Sequence, residues 1–202
     1  MRRPQLLGAV LLGVGLLTAP AAMAQTPTPS WGLSTLMRAM AQVRAASASF
    51  TERETSPLLN APLLAQGTLI YMAPDYMRKT TLTPVPESFT LAGNRITMTG
   101  GPAGGMHVFA LAEAPQIGGL VEGIRATLAG DSSTLTKLYT VRLSGSAAGW
   151  RLALRPRDAK LARLVQLIEI RGSQNRIETI DTHSPDGSTS SMTINEAATD
   201  AP

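Results

Sequence analysis

Residues 65–79, Ala-Gln-Gly-Thr-Leu-Ile-Tyr-Met-Ala-Pro-Asp-Tyr-Met-Arg-Lys, decide how the rest of the chain is read. Thr68 to Met72 combines β-branched, aromatic and long apolar side chains, which suit a pleated, half-buried surface. Pro74 interrupts that run, and proline cannot donate to a strand ladder. Ala73-Pro74-Asp75 therefore reads as the turn of a hairpin, and Tyr76-Met77-Arg78-Lys79-Thr80 opens its second strand.

Outward from this hairpin the pattern repeats. Strands are expected near 47–55, 64–73, 76–83, 87–92 and 95–100, with another over Met106 to Leu111. Gly93-Asn94 marks a hairpin turn because both residues tolerate positive φ. The loop Gly100-Gly101-Pro102-Ala103-Gly104-Gly105 lacks the lysine and spacing of a phosphate-binding loop. Further strands are expected near 137–145, 149–155, 161–171, 175–183 and 188–195. Gly145 to Gly149, Gly172-Ser173-Gln174-Asn175 and Pro185-Asp186-Gly187 join them with ordinary turn chemistry. Such short connectors favour antiparallel neighbours.

Two segments have helical spacing instead. Trp31 to Ala46 carries Leu33, Leu36, Met37, Met40 and Val43 on one stripe, with Ser30 as its expected N-cap. Residues 113–129 carry Ile117, Leu120, Val121, Ile124 and Leu128 in the same way. Gly118, Gly119 and Gly123 weaken that second helix by roughly 1 kcal/mol each relative to alanine. It needs packing to persist and reads as a cover able to move. Asp131 is the expected N-cap of a short helix after it. The fold class that results is α+β: a large curved antiparallel sheet, an unclosed half-barrel, with helices covering the concave face. Two helices cannot fill a wide curved sheet, so an apolar cavity is expected beneath them.

Residues 1–24 read as a signal peptide. Arg2 and Arg3 precede the apolar run Leu6 to Leu17, which is too short for an ordinary membrane span, and Ala22-Met23-Ala24 is a small-x-small cleavage site. Cleavage after Ala24 would leave a leader at 25–30, one domain at 31–196 and a tail at 197–202. The 202-residue chain has no cysteine, which excludes disulfides, a thiol nucleophile and thiolate metal sites. It carries 18 basic and 14 acidic residues, and loss of Arg2 and Arg3 leaves 16 against 14. That balance is too weak to argue for nucleic acid. Aromatics make up only 4% of the chain, whereas methionines number nine, so Leu, Ile and Met must line much of any cavity.

The order helix, Phe50, Gly67-x-Leu69-x-Tyr71-x-x-Pro74, Trp150-Arg151-Leu152-x-Leu154-x-Pro156, Ile177-x-x-Ile180 and Asp186-Gly187 with Met192-x-Ile194 resembles the LolA-like family. These are periplasmic carriers that move lipoproteins to the outer membrane. The resemblance is to a divergent branch. Family members often have arginine before the proline, where this chain has Ala73, and an aromatic three residues beyond it, where it has Met77 beside Tyr76. The resemblance implies a periplasmic, monomeric carrier of lipid or lipoprotein acyl chains, served by an inner-membrane exporter and an outer-membrane acceptor, without cofactor or metal. A lipid-sensing adaptor of the same fold, regulating an envelope protein, is the alternative. The candidate cavity residues are Leu36, Met40, Phe50, Leu69, Tyr71, Tyr76, Met77, Ile96, Met98, Leu120, Ile124 and Leu128.

Catalytic signals are thin. There is no Gly-x-Ser-x-Gly elbow and no His-Glu-x-x-His pair, and His107 and His183 lie far apart in the chain. Glu52-Arg53-Glu54 reads as a solvated strand face. Arg151, Arg155, Arg157, Lys160, Arg163 and Arg171 read as the solvated outer faces of half-exposed strands.

Overall fold

A computed structural model describes residues 31–102 and 104–196. The expected signal peptide, leader and C-terminal tail, and the N-cap expected at Ser30, lie outside these residues. Eleven strands form one antiparallel sheet: β1 (Ala45–Thr55), β2 (Leu63–Met72), β3 (Tyr76–Thr83), β4 (Glu87–Ala92), β5 (Arg95–Gly100), β6 (Met106–Ala110), β7 (Tyr139–Ser146), β8 (Gly149–Pro156), β9 (Leu167–Ser173), β10 (Arg176–His183) and β11 (Thr189–Glu196). Their order is β6-β5-β4-β3-β2-β1-β11-β10-β9-β8-β7. The sheet is unclosed, with β6 and β7 as its two edges. Among the described residues four helices accompany it: α1 (Leu33–Met40), α2 (Pro115–Leu128), α3 (Ser132–Leu138) and α4 (Ala159–Ala162). A 3-10 turn, Leu111–Glu113, leads into α2.

The register explains which side chains face the helices. Successive residues of a strand point to opposite faces. Ala46 pairs with Tyr71, Tyr71 with Met77, Met77 with Leu91, Leu91 with Ile96 and Ile96 with Phe109. One row of side chains on the concave face thus crosses six strands. The chain's last strand lies beside its first, with Phe50 opposite Ile194 on one side and Gly67 on the other. Gly67 has to be glycine here. A Cβ at that position would lie 2.9 Å from the Phe50 ring and would collide with the Thr80 carbonyl.

Two apolar cores result. The larger lies over β7 to β10, where Tyr139, Leu152, Leu154, Ile168 and Ile170 are fully buried with Leu36, Met40, Leu135 and Ala126 from the helices. The smaller lies over β4 and β5, where Leu91, Ile96 and Val121 gather Met77, Phe89, Phe109 and Ile117. On the outer face of the larger core, Glu169 is almost fully buried between Arg151 and Arg171, and Arg171 also pairs with Asp181 at 2.7 Å. Arg157 donates from Nε to the Tyr139 carbonyl at 3.0 Å.

Several boundaries differ from those expected. The first helix ends at Met40, with Gly32 as its N-cap, and Ala45 and Ala46 already belong to β1. Tertiary pairing with β2 overrides the helical spacing that continues to Val43. The strand expected at 161–171 is instead α4 followed by β9 from Leu167. Asp158 starts that helix by accepting from the backbone N–H of Lys160 and Leu161, and Leu161 and Val165 are buried one helical turn apart. Similarly, α3 runs to Leu138, so β7 starts at Tyr139. Asp131 is the N-cap of α3, its carboxylate accepting from the Thr134 N–H at 3.0 Å.

Candidate functional site

Between the two cores lies a cavity of about 510 Å³. Its floor is the central part of the sheet, with Leu69, Tyr71, Met77, Phe89, Met192 and Ile194. Its roof is α2, through Ile117, Leu120, Val121, Ile124 and Leu128, with Met40 and Val43 from α1 and the segment after it. This size falls in the range of small-molecule sites, and the lining is mostly apolar.

The glycines of α2 hold the roof down. The Tyr139 hydroxyl donates to the Gly119 carbonyl at 2.5 Å, and a Cβ on Gly123 would come within 2.9 Å of the Tyr139 ring. A Cβ on Gly119 would overlap the Leu161 side chain. Burial pushes the Tyr139 hydroxyl's pKa up, so it stays a donor. The Thr127 hydroxyl donates to the Gly123 carbonyl at 2.8 Å. Two of the glycines expected to loosen this helix, Gly119 and Gly123, let it approach the larger core closely.

One polar group interrupts the apolar wall. Glu52 and Glu54 both lie on the concave face, Glu52 half-buried against the cavity and Glu54 exposed at its rim, and Arg53 between them is exposed on the other face. Lys79 on β3 reaches across β2 to Glu52 on β1, with Nζ 2.5 Å from Oε2. The Ser190 hydroxyl donates to Glu52 Oε1 at 2.6 Å. Lys79 Nζ also sits 5.0 Å from the centroid of the Phe50 ring, within cation–π range. Elsewhere on the lining, Tyr71 is 4% exposed, and its hydroxyl has no hydrogen-bond partner. Burial raises the pKa of that hydroxyl too, against the opposing charges of Arg125 and Arg44.

Of the candidate cavity residues, Met40, Leu69, Tyr71, Met77, Met98, Leu120, Ile124 and Leu128 line the cavity. Leu36 lies within the larger core and Ile96 within the smaller. Phe50 is buried in the sheet floor beneath Lys79. Tyr76 alternates with Met77 onto the opposite, outer face, where the Arg78 guanidinium lies 5.8 Å from its ring centroid. Lining residues outside that candidate set include Val43, Phe89, Ile117, Val121, Met192 and Ile194. Period-two alternation from Ile194 finds Met192, but joining these residues to Leu69 needs the β1–β11 pairing.

Among the described residues, no three His, Cys, Asp or Glu side chains converge as metal ligands. His107 lies on edge strand β6 near the Gly104 carbonyl, 3.3 Å away, and His183 ends β10 on the other side of the sheet's centre. No helix among these residues is long and apolar enough to cross a membrane.

An unclosed sheet roofed over an apolar cavity invites comparison with known folds. The profile of the family described as outer membrane lipoprotein carrier protein LolA-like matches residues 24–202. The chain belongs to this family. No curated protein sequence matches it. Solved structures with a similar arrangement include the LolA superfamily protein NE2245 from Nitrosomonas europaea, 11% identical, covering 84% of this chain and 94% of that one, with a TM-score of 0.42. Another is a putative outer membrane lipoprotein-sorting protein domain from Vibrio parahaemolyticus, 8% identical, covering 84% and 92%, with a TM-score of 0.42. MucB is 17% identical, with 84% of this chain and 60% of MucB covered and a TM-score of 0.46.

Proposed function

We propose that this LolA-like protein is a periplasmic carrier that holds the acyl chains of a lipoprotein or lipid in transit between the inner and outer membranes. One observation carries the reading: the apolar cavity of about 510 Å³ between the sheet and helices α1 and α2. Burying a methylene contributes about 0.8 kcal/mol, so a chain of a dozen carbons supplies on the order of 10 kcal/mol before the costs of association. Neither a cofactor nor bond chemistry is required. An exporter and an acceptor would meet the protein at its surface. Leu58 and Leu59 in the β1–β2 connection and Leu82 and Val85 beside the β3–β4 connection are exposed, and both connections lie at the end of the sheet away from α1. Exposed apolar clusters of this kind mark contact sites.

Native mass spectrometry of residues 25–202 recovered from a periplasm, followed by lipid extraction, tests the reading. An added mass released as an acylated molecule is expected. A bare mass that stays bare after incubation with phospholipids and lipopeptides would sink the carrier.

A further inference from the structure

An acyl carrier needs only a greasy cavity, yet this one has a charged pair built into its wall. Glu52, Lys79 and Ser190 come from three strands, β1, β3 and β11, and all three line the cavity. Their side chains are only partly exposed, 17% for Glu52 and 31% for Lys79. A charge held against apolar surface is costly unless it has partners or a role. An aliphatic side chain at either position would fit the cavity wall, and nothing in the sheet's own pairing demands a cross-strand ion pair over β2.

The pair has unused capacity. A lysine ammonium has three donors. In Lys79 one goes to Glu52 Oε2, and the ring of Phe50 lies under the charge. Glu52 has two oxygens with about four lone-pair sites, and Lys79 and Ser190 occupy two. The pair therefore offers one donor site and further acceptor sites side by side, with no net charge of its own. Two more carboxylates, Glu54 and Glu87, line the same cavity on the face that Lys79 shares, whereas Arg78 stacks beside Tyr76 on the outer face and Arg44 and Arg125 act at the Tyr71 end. A purely anionic head would be opposed by these carboxylates, whereas a head that also carries a cation would be attracted.

We propose that Lys79, Glu52 and Ser190 form a head-group station, selecting amphiphiles whose head carries both an anionic oxygen and an ammonium, of the phosphoamine type. This rests on the carrier reading above and adds a substrate class to it. The anionic oxygen takes the free donor of Lys79. The ammonium takes the spare lone pairs of Glu52, with Glu54 and Glu87 adding long-range attraction. The acyl chains then run under α2 against Leu69, Met77 and Ile124.

The experiment is a competition on the purified protein, displacing a fluorescent fatty-chain probe with phosphatidylethanolamine or phosphatidylglycerol of identical chains. The wild type is expected to prefer phosphatidylethanolamine by about tenfold, the size of one charge-assisted hydrogen bond. The double variant Glu52→Gln with Lys79→Met should keep the probe and lose the preference. Glu54→Gln, at an exposed position, should reduce the preference while leaving the fold and the ion pair intact. Equal displacement by the two lipids in the wild type overturns the station while leaving the carrier standing, as does a preference undiminished in the double variant. Failure of the wild type to take up the probe or either lipid overturns the carrier and the station together.

Discussion

The two wings of the sheet use the same kinds of side chain to opposite ends. In the β7–β10 wing, Leu152, Leu154, Ile168 and Ile170 meet Leu36, Leu135 and Tyr139 with no exposed surface left on any of them. In the β1–β5 wing, Leu69, Met77 and Phe89 are half-buried against a cavity. The difference lies in the roof. All four described helices pack down on the first wing, α2's glycine side included, whereas only the apolar stripe of α2 and the end of α1 stand over the second. One wing is a closed core, and the other borders an open cavity.

This contrast can be broken most directly at Leu154. Leu154→Ala opens a hole in a closed core and should cost about 2–5 kcal/mol, read as a large fall in melting temperature. Cavity-facing Leu69→Ala should cost about 1 kcal/mol, because a half-buried side chain loses less transfer energy, while uptake of a hydrophobic probe changes clearly. Equal losses at the two sites would erase the distinction between the wings.

A second test sharpens the role of the roof. An exposed helical glycine gains roughly 1 kcal/mol of helix propensity on becoming alanine. Gly123→Ala should do the reverse and destabilise by about 1–3 kcal/mol, since the new methyl meets the Tyr139 ring at 2.9 Å. A stabilised variant in thermal melts would show that α2 does not bear on Tyr139. Tyr139→Phe is a gentler probe of the same contact. It removes the hydrogen bond to the Gly119 carbonyl, at a cost of about 0.5–1.5 kcal/mol.

The smallest effect concerns acid. Hydrogen bonds from the Thr134 side chain and backbone hold the Asp131 carboxyl below the ordinary carboxylate range. A depressed folded pKa means that stability is fully present above the unfolded value of about 3.9 and is lost as pH falls through the folded one. Asp131→Ala should cost about 1 kcal/mol at neutral pH and flatten the acid limb of a pH–stability curve below about pH 4. An unchanged acid limb would remove Asp131 as its source.

Much of the sheet was legible because its signals are local. Pro74 and Gly93-Asn94 mark turns whatever surrounds them, and the alternation of Leu69 and Tyr71 sets a face. The ends of α1 and α4 were not legible. Ala45-Ala46-Ser47-Ala48 has little strand propensity of its own and becomes β1 only by pairing with β2 and, from Ala48 onward, with β11. Leu161 and Val165 have helical spacing, but Ile168 and Ile170 beyond them have strand spacing, and no proline or glycine marks the join. The charged pair in the cavity was partly legible. Two-residue steps from buried Phe50 put Glu52 and Glu54 on the inner face, yet the polarity of the triplet outweighed that count. What no local signal gives is Lys79 as the partner, because the two meet only across a third strand.

The clamping of α2 by Tyr139 and Leu161 fixes how this molecule breathes. A roof bolted along its glycine side to the rigid wing is a poor door, so any enlargement of the cavity falls to the floor. Strand β6 is the open edge of that floor, paired only to β5, and β5 and β4 are the next strands inward. Amide hydrogen exchange in these strands should outpace that in α2 and slow when a guest is bound. Faster exchange in α2 would return the moving part to the helix.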